Sequence, residues 1–222
     1  QIRMILDKFS LKGKIALITG GEGMLGKMIG RTVRELGGQA ASLDITGFPD
    51  IMFDITKDEL PNMKFDILVN NAVGSQDATP SPFKKMLPDI EVGLIGAARM
   101  SGMAQETLSL NKGVILNIGS DLSLIGPDQS LYKEGFYKPV SYSMVKHGIV
   151  GLTRWFASTY PDIRCNCLCS GGVDVGQKVP AVPMGRLAQL YELQGAIAFL
   201  LSPASSYVTG SVLTVDGGRT CI

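Results

Sequence analysis

Short apolar runs alternate with helical patterns along most of the 222-residue chain, and this alternation constrains the fold more than any other feature. Seven runs have the length and composition of strands: 14–19, 39–44, 50–54, 65–71, 113–120, 163–169 and 211–217. Apolar residues recur with helical spacing in four segments: 24–37, 88–109, 140–160 and 187–202. Strands that alternate with helices favour parallel pairing. We therefore predict an α/β fold, a doubly wound Rossmann-type parallel sheet of about seven strands with helices on both faces.

Composition and charge exclude several classes of protein. Apolar residues make up 45% of the chain and charged residues 18%, which is the balance of a globular protein and not of a disordered one. The net charge is +1 and no basic cluster is present, so we expect no nucleic-acid partner. No apolar run approaches the roughly 20 residues of a membrane span, so we expect no membrane partner. The length suits a single domain over 1–222.

Three of the four cysteines, Cys165, Cys167 and Cys169, alternate along one predicted strand and would share one face of it. Ligands spaced in this way along an extended strand cannot close a tetrahedral metal site by themselves. We therefore expect no metal, and we interpret these residues as buried, reduced thiols of a cytoplasmic protein.

The loop TGGEGMLG, residues 19–26, follows the first predicted strand and opens the first predicted helix. A P-loop needs Ser or Thr after its Lys, and Met28 follows Lys27 here, which argues against an ATP site. A dinucleotide-binding turn fits better. Glycines let the backbone approach a pyrophosphate, and the helix N-terminus provides N–H donors and the positive end of its dipole.

Asp44 ends the second predicted strand, 18 residues after Gly26, close to the roughly 20 expected of a ribose-binding acid. A carboxylate at this place accepts hydrogen bonds from the ribose hydroxyls of NAD and repels a 2′-phosphate. We therefore predict NAD as the cofactor. NADP is the less favoured alternative, and it would use Lys27 or Arg31 to reach the phosphate.

The segment SYSMVKHG places Tyr142 and Lys146 four residues apart on one face of a predicted helix. A free tyrosine has a pKa near 10, and lowering that pKa to about 7 for acid–base catalysis takes roughly 4 kcal/mol. A neighbouring ammonium favours the phenolate. Ser120 follows the strand before this helix, at the carboxyl edge of the predicted sheet, where its hydroxyl can hold a substrate oxygen.

These segments, with FDITKDEL, DILVNNA, NIGS, IRCNCLCSGGV and SSYVTGSVLTVDGG in this order, resemble the short-chain dehydrogenase/reductase family along nearly the whole chain. The ending matches the classical branch of that family. The resemblance implies hydride transfer between NAD(P) and a small-molecule alcohol or carbonyl substrate. It implies that Ser120 orients the substrate, that Tyr142 is the general acid–base, and that Lys146 binds the nicotinamide ribose and lowers the pKa of Tyr142.

The resemblance also implies a set of cofactor contacts. Asp54 matches the acid beside the adenine, and the backbone of Val173 matches one that faces the nicotinamide carboxamide. Members of the classical branch are usually homodimers or homotetramers that associate through their long helices. The whole implied cofactor-binding set is Gly20, Gly23, Met24, Leu25, Gly26, Asp44, Asp54, Ile55, Asn71, Ala72, Tyr142, Lys146 and Val173.

The chain departs from the family pattern at several places. Met24 occupies the middle glycine of the classical loop, so the glycine spacing is that of extended members that epimerise or dehydrate nucleotide sugars. Gly93 stands where the family has a catalytic Asn that holds a water, which implies either a rearranged proton relay or weakened catalysis. Two segments differ in length from those of relatives, and we expect both to form substrate loops: 121–139 and 172–186.

The polar residues of 121–139 suggest a sugar derivative as substrate. Two alternative functions remain open. A catalytically weak dinucleotide-binding sensor or scaffold is suggested by Gly93 and by the short segment 172–186, and a nucleotide-sugar dehydratase or epimerase is suggested by the glycine spacing. The intact set of Ser120, Tyr142 and Lys146 favours the oxidoreductase.

Overall fold

A computed structural model describes residues 4–74, 76–178 and 181–222. Its seven strands form one sheet in which every neighbouring pair is parallel, in the order β3-β2-β1-β4-β5-β6-β7. This topology confirms the predicted Rossmann-type α/β fold. The strands are β1 (Ile15–Thr19), β2 (Gln39–Asp44), β3 (Ile51–Met52), β4 (Ile67–Asn70), β5 (Val114–Ile118), β6 (Arg164–Ser170) and β7 (Val212–Val215).

The helices lie where the periodicity predicted them, with some differences at their ends. The segment predicted over 88–109 contains two α-helices joined by a π-helical stretch, Glu91–Gly96. The last predicted segment, 187–202, begins with a 3-10 turn, Leu190–Leu193, before its α-helix. The α-helices are α1 (Met24–Glu35), α2 (Met86–Ile90), α3 (Ala97–Asn111), α4 (Val140–Thr159) and α5 (Gln194–Leu201).

Helices cover both faces of the sheet, and each face buries its own apolar cluster. On one face, Ile29 and Val33 of α1 pack with Ile197 of α5 against the strands. On the other face, Met100 of α3 and Phe156 of α4 do the same. Strands that are covered on both faces have nearly continuous apolar sequences. This explains why the runs ILVN of β4 and VILNI of β5 predicted strands.

The predicted strand 50–54 is longer than the observed β3, which has only two residues. No helix crosses over between β2 and β3. Instead, Ile51 pairs beside Leu43 near the carboxyl end of β2, and the Phe53 N–H donates to the Asp44 carbonyl. Asp54 then leaves the sheet, because its carboxylate accepts hydrogen bonds from the N–H and hydroxyl of Thr56 and closes a turn.

Strand β1 lies at the point where the order of strands reverses, with β2 on one side and β4 on the other. At such a point the loops that follow neighbouring strands diverge and leave a crevice at the carboxyl ends. The crevice in this molecule therefore lies between the glycine loop after β1 and the loop after β4.

The three cysteines of β6 are buried and free, as expected. The sulfur atoms of Cys167 and Cys169 are 3.7 Å apart, and the described residues contain no group of side chains suited to hold a metal ion. Within the same residues, every helix is too short or too polar to cross a bilayer.

Candidate active site

A cleft of about 860 Å³ runs along the carboxyl ends of the strands. It has a glycine-turn end, around Gly20, Gly23 and Asp44, and a Tyr142 end, around Ser120, Tyr142 and Lys146. Every residue in the sequence-predicted site lines this cleft except Gly26. Residues that lie up to 153 positions apart, from Gly20 to Val173, are thus brought to one surface.

Gly26 lies beneath the surface of the cleft and not on it. It is buried one turn into α1, and a Cβ at this position would overlap the carbonyl oxygen of Gly20. Gly20 has φ +62°, and a Cβ there would lie 2.9 Å from the Cα of Ala72. Both glycines therefore allow the close turn, Gly20 at the surface of the cleft and Gly26 beneath it.

Gly23 is the N-cap of α1 and has no side chain to bond to the helix. The first N–H groups of an α-helix have no partner inside the helix. Met24 and Leu25, which carry two of these groups, line the cleft. The glycine-turn end therefore offers backbone donors and a positive dipole end to an anion, which fits the pyrophosphate of a dinucleotide.

Asp44 closes the glycine-turn end. Its Oδ1 accepts hydrogen bonds from the N–H groups of Ile45 (2.8 Å) and Thr46 (3.1 Å), and its Oδ2 accepts one from the Glu22 N–H (3.0 Å). A carboxylate oxygen accepts more than one hydrogen bond, so Oδ2 keeps capacity for a hydroxyl. The acid is thus held in place by backbone donors and remains able to bind a ribose.

Lys27 and Arg31, the two residues that kept NADP as an alternative, are both paired with acids. The Lys27 ammonium lies 3.3 Å from Glu22, and the Arg31 guanidinium lies 2.7 Å from Glu35. Glu22 also lines the cleft next to Asp44. The glycine-turn end therefore carries two carboxylates, and one of them, that of Glu22, is paired with Lys27.

Asn71 ties the end of β4 to the glycine turn. Its side-chain amide donates to the carbonyls of Thr19 (3.0 Å) and Gly20 (2.9 Å), and its backbone N–H donates to the Thr19 hydroxyl (3.1 Å). Ala72 donates to the same hydroxyl. The preceding Asn70 points the other way, into the core, where it bonds to Asn117.

Asp54, Ile55 and Val173 also border the cleft. Hydrogen bonds from Thr56 hold the pKa of Asp54 below its usual value, so this carboxyl is charged. Ile55 is buried against α3. The carbonyl of Val173 accepts a hydrogen bond from the side-chain amide of Gln177 at 2.6 Å.

Lys146 is buried below the Tyr142 ring, with its ammonium 5.7 Å from the ring centroid. The ammonium donates to the carbonyl of Ile118, at the end of β5, at 2.7 Å. Burial lowers the pKa of Lys146 from its usual value of 10.5 to about 8. This ammonium is therefore easily deprotonated compared with an exposed lysine.

Burial raises the pKa of Tyr142, and the hydrogen bond with Ser120 lowers it by less. In the protein without a ligand, the pKa of Tyr142 is therefore raised, and the lowering expected from the ammonium of Lys146 does not prevail. The physical reason is that an anionic phenolate loses its hydration in this position.

Ser120 is held by the loop that follows it. Its hydroxyl donates to Asp121 Oδ1 (2.8 Å) and accepts from the Leu122 N–H (3.1 Å). Asp121 Oδ2 in turn accepts from the Arg219 guanidinium at 2.7 Å, and this ion pair is almost completely buried. The sequence patterns did not indicate Asp121 or Arg219 as site residues. A signal was present, since Arg219 follows the last predicted strand and so had to lie at the carboxyl edge of the sheet.

Gly93 lies in the π-helical stretch before α3, and no Asn side chain fits there as the chain is packed. A Cβ on Gly93 would lie 2.7 Å from Cγ1 of Val145, the neighbour of Lys146. Val145 is buried and fills the space. The ammonium of Lys146 donates a hydrogen bond to the carbonyl of Ile118 instead.

Both expected substrate loops reach the cleft. Segment 121–139 contributes Tyr132 and Lys138, and segment 172–186 contributes Gln177 and Lys178. Residues 179 and 180 of the second segment lie outside the described residues. Lys138 is a further residue that sequence analysis did not single out, and its ammonium lies 3.9 Å from the centroid of the Tyr142 ring.

The chain is similar to several known proteins over nearly its whole length. Residues 12–220 match a family model described as enoyl-(acyl carrier protein) reductase. The 2-dehydro-3-deoxy-D-gluconate 5-dehydrogenase of Bacillus subtilis is 30% identical, over 96% of this chain and 96% of its own. A short-chain dehydrogenase from Leptospira borgpetersenii with bound NAD+ is 28% identical, with a TM-score of 0.83 over 99% of this chain and 97% of that chain. A gluconate 5-dehydrogenase from Burkholderia cenocepacia, in complex with NADP and tartrate, is 25% identical, with a TM-score of 0.80 over 99% and 100%.

Proposed function

The chain belongs to the short-chain dehydrogenase/reductase family, and on that basis we propose that it transfers a hydride between NAD and the hydroxyl- or carbonyl-bearing carbon of a sugar derivative. Like relatives named as dehydrogenases, it is an oxidoreductase that acts on CH–OH groups and uses NAD(P). The observation that carries the proposal is the convergence of Ser120, Tyr142 and Lys146 at one end of a cleft whose other end fits a dinucleotide.

The proposed cofactor site runs between the two ends of the cleft. The N–H groups of the glycine turn and of the start of α1 would hold the pyrophosphate. Asp44 would hold the adenosine ribose, with Asp54 and Ile55 beside the adenine. Asn71 and Ala72 would border the middle of the cofactor, and Lys146 and Val173 its nicotinamide end.

Tyr142 would move the proton of the reaction. A bound nicotinamide supplies the acceptor or the donor of the hydride. During oxidation of an alcohol, the Tyr142 oxygen would take the hydroxyl proton, and during reduction it would return that proton. Ser120 would hold the substrate oxygen beside the Tyr142 hydroxyl, since both residues line this end of the cleft.

Lys146 would favour the phenolate once the cleft is filled. Its ammonium lies below the Tyr142 ring, and among the described residues it donates to one carbonyl, that of Ile118. An ammonium has three donors, so it keeps donors for a ribose hydroxyl. A positive charge in a water-poor site interacts strongly with a developing negative charge. The net raising of the Tyr142 pKa by burial would thereby be offset in the complex.

We propose NAD as the preferred cofactor. Asp44 and Glu22 both present carboxylates at the glycine-turn end, where a 2′-phosphate would have to bind. Lys27 is paired with one of them, and Arg31 is paired with Glu35 on the exposed side of α1. A dianionic phosphate would therefore meet net negative charge.

A sugar derivative is supported by the polar residues that line the Tyr142 end, among them Tyr132, Lys138 and Gln177. The relatives from Bacillus subtilis and Burkholderia cenocepacia are both named for gluconate derivatives. We also propose that 1–222 acts as a single domain, with 121–139 and 172–186 as the walls of the substrate site.

A homodimer or homotetramer is proposed through the long helices α3 and α4. Met144, Gly151 and Trp155 share the exposed face of α4, spaced by seven and four residues. Ile95, just before α3, is also exposed. Apolar side chains on two adjacent long helices fit burial against a second copy.

The reduced, buried thiols of β6 are consistent with a cytoplasmic location, which we propose as well.

One observation favours a second candidate, a dinucleotide-binding protein with weak catalysis. Val145 fills the space beside Gly93, so the family's Asn has no counterpart at this point of the chain. Such a protein would bind NADH and turn over no carbonyl substrate.

Fluorescence titration with NADH and NADPH, followed by turnover assays on hydroxy and keto sugars and their acids, tests the proposal. We expect tighter binding of NADH and turnover of at least one substrate with stoichiometric change in NADH. Binding without turnover across the panel would favour the weakly catalytic protein, and NAD that is retained and recycled would favour an epimerase or dehydratase.

A further inference from the structure

Lys138 carries a cation at the Tyr142 end that has no acid partner among the ion pairs of the described chain. Its ammonium lies over the Tyr142 ring and donates to the carbonyl of Gln76 at 2.5 Å. Both contacts are with neutral groups. The side chain is partly buried and lines the cleft beside Tyr142.

One carbonyl and the face of one ring compensate only in part for the hydration that this ammonium has lost. Burial is the largest influence on the pKa of Lys138 and lowers it, while the more distant Asp77 and Asp121 act in the opposite direction. Asp121 is already bound to Arg219 and Ser120. Removing a charge from water costs free energy unless an opposite charge is near, so an anion in the cleft is the natural complement of the partly buried Lys138.

The position of Lys138 indicates what part of a ligand it meets. The hydroxyl of Tyr142 marks the carbon that reacts, and the ammonium lies against the ring of the same residue. We propose that Lys138 binds a carboxylate of the substrate, so that the substrate is a hydroxy or oxo acid and not a neutral sugar. This inference rests on the proposed function and adds to it the charge of the substrate and the residue that recognises it.

A carboxylate fits the surroundings better than a phosphate. Lys138 is one ammonium with a single charge, and Asp77 and Asp121 are close enough to influence it. A phosphate ester carries up to two negative charges and several acceptor oxygens, which usually require more than one cationic donor. A monoanion matches the single charge of Lys138, and the two acids repel it less than they would repel a dianion.

The test compares acids with neutral molecules of the same carbon chain. D-Gluconate and D-glucitol form one pair, and the other four- to six-carbon aldonates and their alditols complete the panel. Calorimetric titration of the protein with NADH present gives a dissociation constant for each compound. The variants are Lys138→Met, which removes the charge, and Lys138→Arg, which keeps it. Lys133→Met is the matched control, because Lys133 is an exposed lysine of the same loop, over the Phe136 ring.

We expect at least one aldonate to bind about 10- to 100-fold more tightly than its alditol, the range of a charge-assisted hydrogen bond. Lys138→Met should remove that difference and leave alditol binding unchanged. Lys138→Arg should keep much of it, and Lys133→Met all of it. Circular dichroism checks that each variant is folded.

Two outcomes would overturn the carboxylate site. One is a panel in which no aldonate binds more tightly than its alditol, and the other is a preference that survives Lys138→Met. Binding is measured without turnover, so the two proposals fail separately. Selective aldonate binding without turnover supports the carboxylate site while the oxidoreductase proposal fails, and turnover of neutral sugars without charge preference does the reverse.

Discussion

The two ends of the cleft are built from different parts of the chain and carry opposite charge. The glycine-turn end consists of short turns that directly follow β1 and β2, and its ionised side chains are chiefly acids, Asp44 and Glu22. The Tyr142 end is walled by long loops and the C-terminal turn, which bring Lys138 and the ion pair of Arg219 with Asp121. The glycine-turn end is therefore formed chiefly by backbone groups, whereas side chains from distant loops determine the charge and shape of the Tyr142 end.

The largest expected effect comes from Tyr142→Phe, which removes the proposed proton-transfer group at the Tyr142 end and leaves the glycine-turn end intact. General acid–base groups contribute about 10²- to 10⁴-fold, so kcat should fall on the order of 10³-fold. The dissociation constant of NADH should change by less than about twofold, since a phenol hydroxyl is a minor part of so large a ligand. Steady-state kinetics and fluorescence titration measure the two quantities.

Tyr137→Phe is the matched control, because Tyr137 is an exposed tyrosine of the neighbouring loop. Wild-type turnover in Tyr142→Phe would refute the assigned role.

Arg219→Gln breaks the buried ion pair at the Tyr142 end. Asp121 would keep its charge in a buried position without a counter-ion, which typically costs about 3 kcal/mol or more. We expect a loss of this size in the free energy of unfolding, measured by urea denaturation. Turnover should also fall, because Asp121 holds the hydroxyl of Ser120.

Adding Asp121→Asn to Arg219→Gln removes both charges and should restore much of the stability. Arg31→Gln is the surface control. It breaks an exposed pair with Glu35, for which roughly 0.5 kcal/mol is expected. Equal losses in Arg219→Gln and Arg31→Gln would show that burial of the first pair has no energetic consequence.

Asp44→Asn removes a negative charge from the glycine-turn end. The preference for NADH over NADPH should fall about 10- to 100-fold, because a charged acceptor for the ribose is lost together with the repulsion of a 2′-phosphate. Competitive fluorescence titration measures both cofactors. Arg31→Gln should leave NADPH binding unchanged, and a marked weakening there would mean that Arg31 reaches the phosphate after all.

Gly93→Ala has the smallest expected effect, and it probes the packing beneath the Tyr142 end. The new Cβ would lie 2.7 Å from Val145, and overpacking of this kind costs about 1–3 kcal/mol. The better helix propensity of alanine returns about 1 kcal/mol. We therefore expect a net loss of about 1 kcal/mol by thermal or urea unfolding.

Val145→Ala in the same chain should recover most of that loss, since it removes the clashing methyl groups. Gly195→Ala is the control, because the start of α5 has open space at that position, and there the substitution should stabilise. A stabilising Gly93→Ala would mean that Val145 moves aside easily.

Much of the molecule followed from the sequence alone. The seven strands and the main helices are local patterns of apolar spacing, and their alternation left parallel pairing as the favoured arrangement. The place of six residues along the cleft was predictable, because each lies at or just after a strand end or keeps a fixed spacing within a turn or helix: Gly20, Gly23, Asp44, Ser120, Tyr142 and Lys146. Parallel strands place such positions at one edge without further information.

Other features of the site depend on how distant segments of the chain pack together. The ion pair of Asp121 with Arg219, the position of Lys138 over Tyr142, and the filling of the Gly93 site by Val145 each join segments far apart in the chain. Burial likewise decided the direction of the Tyr142 pKa, against the effect expected from a neighbouring lysine. Spacing along a chain fixes which residues share a local surface, whereas desolvation and contacts between distant loops depend on how the whole chain is packed.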